Sequence, residues 1–148
     1  MAGTRPTAAS VKPATGKTVL VTDDNRDLRE LTARLIDRRG HRVLQAASGA
    51  EAIEVCEREP VDLLLLDIMM PEMDGFATLA QLRERGHTQL PVVILTAQNT
   101  DENVLAGYRA GVDYYLTKPF RTDALLNIVD YLIGDLSADE RAHLEALL

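Results

Sequence analysis

Five short runs of β-branched or leucine residues alternate along the chain with longer stretches whose apolar positions recur every three or four residues. The runs Thr18–Thr22 (TVLVT), Arg42–Ala46, Asp62–Asp67 (DLLLLD), Pro91–Thr96 (PVVILT) and Val112–Thr117 have the length and residue types of strands. Between them Leu28, Leu31 and Leu35 recur at helical spacing. So do Ile53 with Cys56, Phe76 with Leu79 and Leu82, and Leu125 with Ile128 and Leu132. Arg38-Arg39-Gly40, Pro60, Arg85-Gly86, Ala110-Gly111 and Gly134 each follow one of these stretches, where helix stop signals belong. The stretch Asp101–Ala110 has the weakest stripe and contains Gly107, so its helix is expected to be the least firmly held. Strands alternating with helices predict an α/β fold: one doubly wound, five-stranded parallel sheet in the order 2-1-3-4-5. The third and fourth runs are apolar at nearly every position, as a strand covered by helices on both faces should be.

Composition bounds the organisation. At 148 residues the chain fits a single domain, and 46% apolar with 26% charged residues is ordinary for a globular protein. The single Cys56 excludes a disulfide scaffold, and its place one turn from Ile53 assigns it to packing. No apolar run approaches the ~18–20 residues of a membrane span, and no apolar signal segment opens the chain, so the cytoplasm is the expected location. Residues 1–16, rich in Ala, Thr, Pro and Gly without periodicity, read as a flexible leader. Residues 17–134 read as the folded domain and 135–148 as a helical extension or linker. Ser137 and Glu140 there form a capping-box pattern ahead of Leu144, Leu147 and Leu148. That leucine face reads either as a docked extra helix or as a linker that associates with a second copy.

The net charge of −7 comes from 16 basic and 23 acidic residues. Such a balance disfavours nucleic acid as a direct partner, because phosphate binding needs a basic face. Where the acid sits is more informative. In a doubly wound sheet, ligands bind beyond the carboxyl ends of the strands. The first strand ends in Asp23-Asp24, the third in Asp67, the fourth in Thr96 and the fifth in Lys118-Pro119. In the order 2-1-3-4-5 the first and third strands are neighbours, so the three aspartates converge. Carboxylates that close repel and need a hard cation or a proton to coexist; oxygen ligands in that number suit Mg²⁺. Lys118 adds one positive charge opposite, fit to contact an anion such as a phosphoryl group.

The constellation resembles the response-regulator receiver domain of two-component signalling, over roughly residues 18–134. Its motifs occur in order: the acidic pair, Asp67 followed by IMMPEMDG, Thr96-Ala97, the aromatic Tyr115, and Lys118-Pro119-Phe120. The resemblance implies the flavodoxin-like receiver fold and a signalling switch rather than an enzyme. It implies that Asp67 accepts a phosphoryl group from the phosphohistidine of a sensor kinase or phosphotransfer protein. By the same resemblance Asp24, Asp67 and the backbone carbonyl of Met69 hold Mg²⁺, with Asp23 acting directly or through a metal-bound water. Lys118 and Thr96, with the backbone N–H of Ala97, would contact phosphoryl oxygens, and a cis Lys118–Pro119 bond would aim the lysine. Thr96 and Tyr115 would form the switch, read out on a face built from the 101–110 helix, the fifth strand and the 122–133 helix, with Tyr108 and Tyr114 as contact residues.

Departures from the family pattern matter too. Met69 and Gln98 stand where family members often carry side chains that tune dephosphorylation, and neither is acidic, so a phosphorylated state of moderate lifetime is expected. Thr122–Ile133 contains no Lys or Arg, which removes the basic residues that often build a dimer seam in receivers joined to DNA-binding domains, though a homodimer by another route stays open. A relay intermediate passing phosphate onward, or the receiver part of a longer regulator with an unknown effector, fits the same residues.

Simpler roles compete at several positions. Asp23 and Asp24 could cap the first helix, Thr96 could be a strand former and Tyr115 a core aromatic. Asp62, Asp74 and Asp113 read as strand-end or turn acids, Gly75 as a turn residue, and His41, His87 and His143 as surface residues. A phosphatase with an aspartyl nucleophile is disfavoured, since Thr22-Asp23-Asp24-Asn25 does not match a DxD pattern. A flavin carrier is disfavoured because an acidic pair after the first strand would repel the cofactor phosphate.

Overall fold

In the computed structural model, residues 16–97 and 111–148 are described; most of residues 1–16, read above as a leader, the stretch 101–110 expected to be helical, Gln98 and Tyr108 lie outside them. The elements run β1 (Thr18–Thr22), α1 (Arg26–Arg38), β2 (Arg42–Ala46), α2 (Gly49–Arg58), β3 (Leu63–Leu66), α3 (Gly75–Glu84), β4 (Val92–Thr96), β5 (Tyr114–Thr117), α4 (Thr122–Ile133) and α5 (Ala138–Leu147). The strands form one parallel sheet in the order β2-β1-β3-β4-β5, as the sequence pattern predicts.

Strand periodicity sorts the core into two layers. Val19, Val21, Leu63, Leu65, Val93 and Leu95 point toward Ala33 and Ile36 of α1 and Leu125, Ile128 and Val129 of α4. Leu20, Leu64, Leu66, Val92 and Ile94 point the other way, against Ile53, Val55 and Cys56 of α2 and Leu79 and Leu82 of α3. All four leucines of β3 are fully buried, each worth about 1.5–3 kcal/mol of transfer free energy. Cys56 belongs to this core, and burial pushes its thiol up to about 11.

Three strands begin later than the pattern predicts, and side-chain chemistry explains two of them. The Asp62 carboxylate accepts the N–H of Thr18 at 2.7 Å, and that of Asp113 accepts the N–H of Val92 at 2.8 Å. Each acid thus stands in for a strand backbone at the ladder's start and stays outside β3 or β5. The helices start on matching caps: Asn25, Ser48, Asp74 and Ser137 each accept a backbone N–H from the first turn.

Two expectations need correction. Leu31 is 47% exposed, because the core-facing line of α1 runs through Thr32, Ala33 and Ile36, with the half-buried Leu35 at its edge. His41 is buried, not a surface residue, with Asp130 and Arg39 as its charged neighbours, and its Nδ1 has no hydrogen-bond partner. His87 is partly covered and its Nε2 lies 2.6 Å from Glu57, whereas His143 is exposed.

The C-terminal helix α5 docks on α4 through polar contacts. Arg141 stacks 5.0 Å from the Tyr131 ring centroid and donates to the Tyr131 carbonyl, while the Tyr131 hydroxyl donates to Glu145 at 2.6 Å. None of its residues is buried, and Leu147 and Leu148 stay exposed. No helix among the described residues is long and apolar enough to cross a membrane.

Candidate functional site

The register of the sheet assembles the site. Thr22 pairs with Leu66, so Asp23 and Asp67 leave their strands side by side, and the Asp67 N–H donates to the Thr22 carbonyl at 3.0 Å. Thr96 pairs with Thr117, and the Lys118 N–H donates to the Thr96 carbonyl at 2.8 Å, which brings Lys118 to the same edge. Carboxylate oxygens of Asp23, Asp24 and Asp67 all lie within 4.8 Å of one another. Asp23 and Asp67 are buried, and Asp24 faces solvent.

Lys118 Nζ lies 2.8 Å from Asp23 and 3.7 Å from Asp67, reached past a cis Lys118–Pro119 bond. One ammonium therefore contacts two of the three clustered carboxylates. Burial raises the Asp67 carboxyl above its ordinary value; Lys118 opposes that rise and Asp23 reinforces it, while the backbone N–H groups of Met69 and Ile68 help the charged form. A divalent cation would relieve this excess charge. The donors are hard oxygens, including the Met69 carbonyl, which accepts no hydrogen bond from a described residue, so the set fits Mg²⁺.

The loop after β3 is held close to α3. The Gly75 N–H donates to the Ile68 carbonyl at 2.9 Å, and a Cβ on Gly75 would stand 2.5 Å from the Asp67 carbonyl oxygen. Gly75 thus does more than turn the chain, since only a residue without Cβ lets α3 begin against the backbone that carries Asp67. In the same loop Met73 donates to the Pro71 carbonyl across Glu72, whose φ of 71° is strained for a side-chain-bearing residue. The Met69 side chain is 56% exposed.

Thr96 is wholly buried at the end of β4, and Ala97 beyond it is exposed. Ile94 pairs with Tyr115, which puts Tyr115 and Thr96 on one face of the sheet. Burial, then the negative charge of Asp67, raises the Tyr115 hydroxyl above its usual range.

Two residues at the site escaped the sequence reading. Asn25 caps α1 and donates its N–H to the Asp23 carboxylate at 2.9 Å. Arg29 donates to the Asp23 carbonyl at 2.9 Å and to the Gln45 side chain at 3.1 Å. The available signal was an arginine four residues after the cap, on the side of α1 that continues to Thr32, Ala33 and Ile36.

A doubly wound five-stranded domain whose carboxyl edge gathers three aspartates and one lysine is a well-defined class, and comparison places it. The chain belongs to the family described as "Response regulator receiver domain", whose profile matches residues 19–130. It is 38% identical to "Response regulator MprA" of Mycobacterium leprae over 129 residues, covering 87% of this chain and 56% of that protein. It spans about half the length of the curated relatives it matches. Among solved structures, the receiver domain of the Francisella response regulator 1452 superposes with a TM-score of 0.74 at 34% identity, covering 79% of this chain and 96% of that one. The receiver domain of sensor histidine kinase PA1611 from Pseudomonas aeruginosa, which has magnesium coordinated in its active-site cleft, gives 0.74 at 28% identity, covering 82% and 100%.

Proposed function

We propose that this receiver domain accepts a phosphoryl group on Asp67 from a phosphohistidine of a sensor kinase or phosphotransfer protein and works as a switch in the cytoplasm. The observation that carries this reading is the buried Asp67 carboxylate, with Asp23 and Asp24 oxygens within 4.8 Å and Lys118 Nζ at 3.7 Å.

An Asp67 oxygen attacks phosphorus; the O–P bond forms as the P–N bond breaks, and the electron pair leaves on the imidazole nitrogen, which takes up a proton. Phosphoryl transfer needs positioning and charge neutralisation above all. The bound Mg²⁺ would supply charge neutralisation at the phosphoryl oxygens. Asp24, Asp67 and the Met69 carbonyl would hold it, with Asp23 contributing directly or through a bound water. Lys118 pairs with a phosphoryl oxygen, and the Thr96 hydroxyl and Ala97 N–H contact the others.

Phosphorylation adds about −1.5 to −2 charges at a site already short of cations. Thr96 turns toward the new group and Tyr115 moves into the space vacated, which alters the outer face of β5 and α4, where the half-buried Tyr114 donates its hydroxyl to the Leu148 carbonyl at 3.5 Å. Two such states are separated by a few kcal/mol, within reach of one covalent group.

The test is intact-mass measurement after incubation with a small acyl-phosphate donor. One phosphoryl adduct is expected with Mg²⁺, none with EDTA and none in Asp67→Asn. An adduct of equal yield in Asp67→Asn would remove Asp67 from the acceptor role.

A further inference from the structure

Asp24 is the most exposed of the three acids, and among the described residues its carboxylate has no hydrogen-bond partner, so its backbone is what fixes the Cα–Cβ bond from which the carboxylate reaches the site. That backbone is pinned at Asp23 on every side. The Asp23 N–H donates to the Ala46 carbonyl at 3.1 Å. Its carboxylate oxygens accept from the Asn25 N–H at 2.9 Å and from Lys118 Nζ at 2.8 Å. Its carbonyl, the first atom pair of the peptide leading to Asp24, is held by Arg29 Nη1 at 2.9 Å. The same guanidinium reaches Gln45 of β2 through Nε at 3.1 Å, so Arg29 ties α1, the β1–α1 loop and β2 together at one point.

We infer that Arg29 is a positioning residue for the divalent-cation site: its planar fork fixes the Asp23–Asp24 peptide and thereby aims Asp24 at the cation. The inference rests on the Mg²⁺-dependent reading above and assigns a role to a residue outside the acid–lysine set. Arg29 spends its donors on a main-chain carbonyl and a neutral amide. Only a guanidinium presents two donors at fixed angles to both acceptors; a lysine ammonium can satisfy one of them from that stem.

The sign of the effect separates positioning from charge. A guanidinium acting only as a nearby positive charge repels Mg²⁺, so its removal would tighten cation binding. A clamp that orients a ligand does the opposite, and loss of such outer contacts costs about tenfold or more in metal affinity.

The experiment compares the full chain with Arg29→Met, Arg29→Lys and Gln45→Ala by calorimetric Mg²⁺ titration, with urea denaturation in EDTA confirming that each folds. Arg29→Met is expected to weaken Mg²⁺ binding by about tenfold. Arg29→Lys, which keeps the charge, weakens it too, and Gln45→Ala does so less. Acyl-phosphate labelling at saturating Mg²⁺ then stays near the parent rate, because Arg29 touches neither the phosphoryl group nor Asp67. Unchanged or tighter binding in Arg29→Met, or an Arg29→Lys variant equal to the parent, overturns the clamp. If the parent chain itself binds no Mg²⁺, the cation-dependent reading fails along with it; if the parent binds and the variants bind equally, only the Arg29 assignment falls.

Discussion

Gly75→Ala is the perturbation whose consequence the structure states most sharply. The added Cβ would stand 2.5 Å from the Asp67 carbonyl oxygen and 2.9 Å from the Ile68 Cα, both backbone atoms that no rotamer change can move. Reaching ordinary van der Waals contact at 3.4 Å requires the start of α3 and the Asp67 segment to separate by about 0.9 Å. Overpacking of this kind costs about 1–3 kcal/mol, of which the better helix propensity of alanine returns a fraction. The net loss lowers the melting temperature by about 3–8 °C in a domain of this size. The displaced atoms carry the proposed acceptor, and sites of this type tolerate shifts of only about 0.5 Å, so acyl-phosphate labelling should slow at least about tenfold. Gly86→Ala is the control. Gly86 has φ +101° but open space around its Cβ, so it should lose about 1 kcal/mol to backbone strain while labelling proceeds at the parent rate. Urea denaturation followed by far-UV circular dichroism and a mass-resolved labelling time course read both quantities. Parent-like stability and labelling in Gly75→Ala would refute the argument that α3 is seated directly on the Asp67 backbone.

Further outcomes follow from single residues. Burial holds the His41 imidazole below its ordinary 6.5, so the unfolded chain binds a proton there more readily than the native one. Stability contributed by the neutral ring is complete above 6.5 and lost as pH falls toward the depressed native value; His41→Leu should flatten that part of a pH series of urea melts. Asp67 has the opposite sign: its raised carboxyl means that native stability, complete below the ordinary 3.8, falls as pH rises from there through the raised native value and stays lost above it. Asp67→Asn in EDTA at neutral pH should therefore melt above the parent chain, and a lower melting point would contradict the burial argument. Relief of the positive φ at Glu72 should make Glu72→Gly more stable by up to about 1 kcal/mol in the same urea assay.

The strand pattern and the acids at strand ends were legible because both depend on local periodicity. Four consecutive leucines between the acids of DLLLLD are best satisfied inside a two-sided parallel sheet, and the motif order then fixes which strand ends meet. Features that depend on tertiary geometry were not legible. Leu31 reads as core by spacing, yet the sheet is met by the face carrying Thr32 and Ile36, and a rotation of part of a turn is invisible in a short stripe. His41 is buried just ahead of β2, where Arg39 pairs with Asp130 of α4 across about ninety residues, a neighbourhood that local periodicity does not report. Arg29 looks like any helix-surface arginine until the Asp23 carbonyl and Gln45 are placed within its reach. Gly75 announces a turn in the sequence, but its closeness to the Asp67 backbone exists only once α3 is packed.

The most direct test of the account locates the phosphoryl group rather than detecting it. The chain is labelled with a small acyl-phosphate donor and Mg²⁺, then treated with borohydride, which reduces an aspartyl phosphate to homoserine, and the peptides are sequenced by tandem mass spectrometry. Homoserine is predicted at position 67, in amounts that track Mg²⁺ and vanish with EDTA. Homoserine at position 23 or 24, or label retained on a residue that borohydride does not reduce, would contradict the assignment of Asp67 as the acceptor.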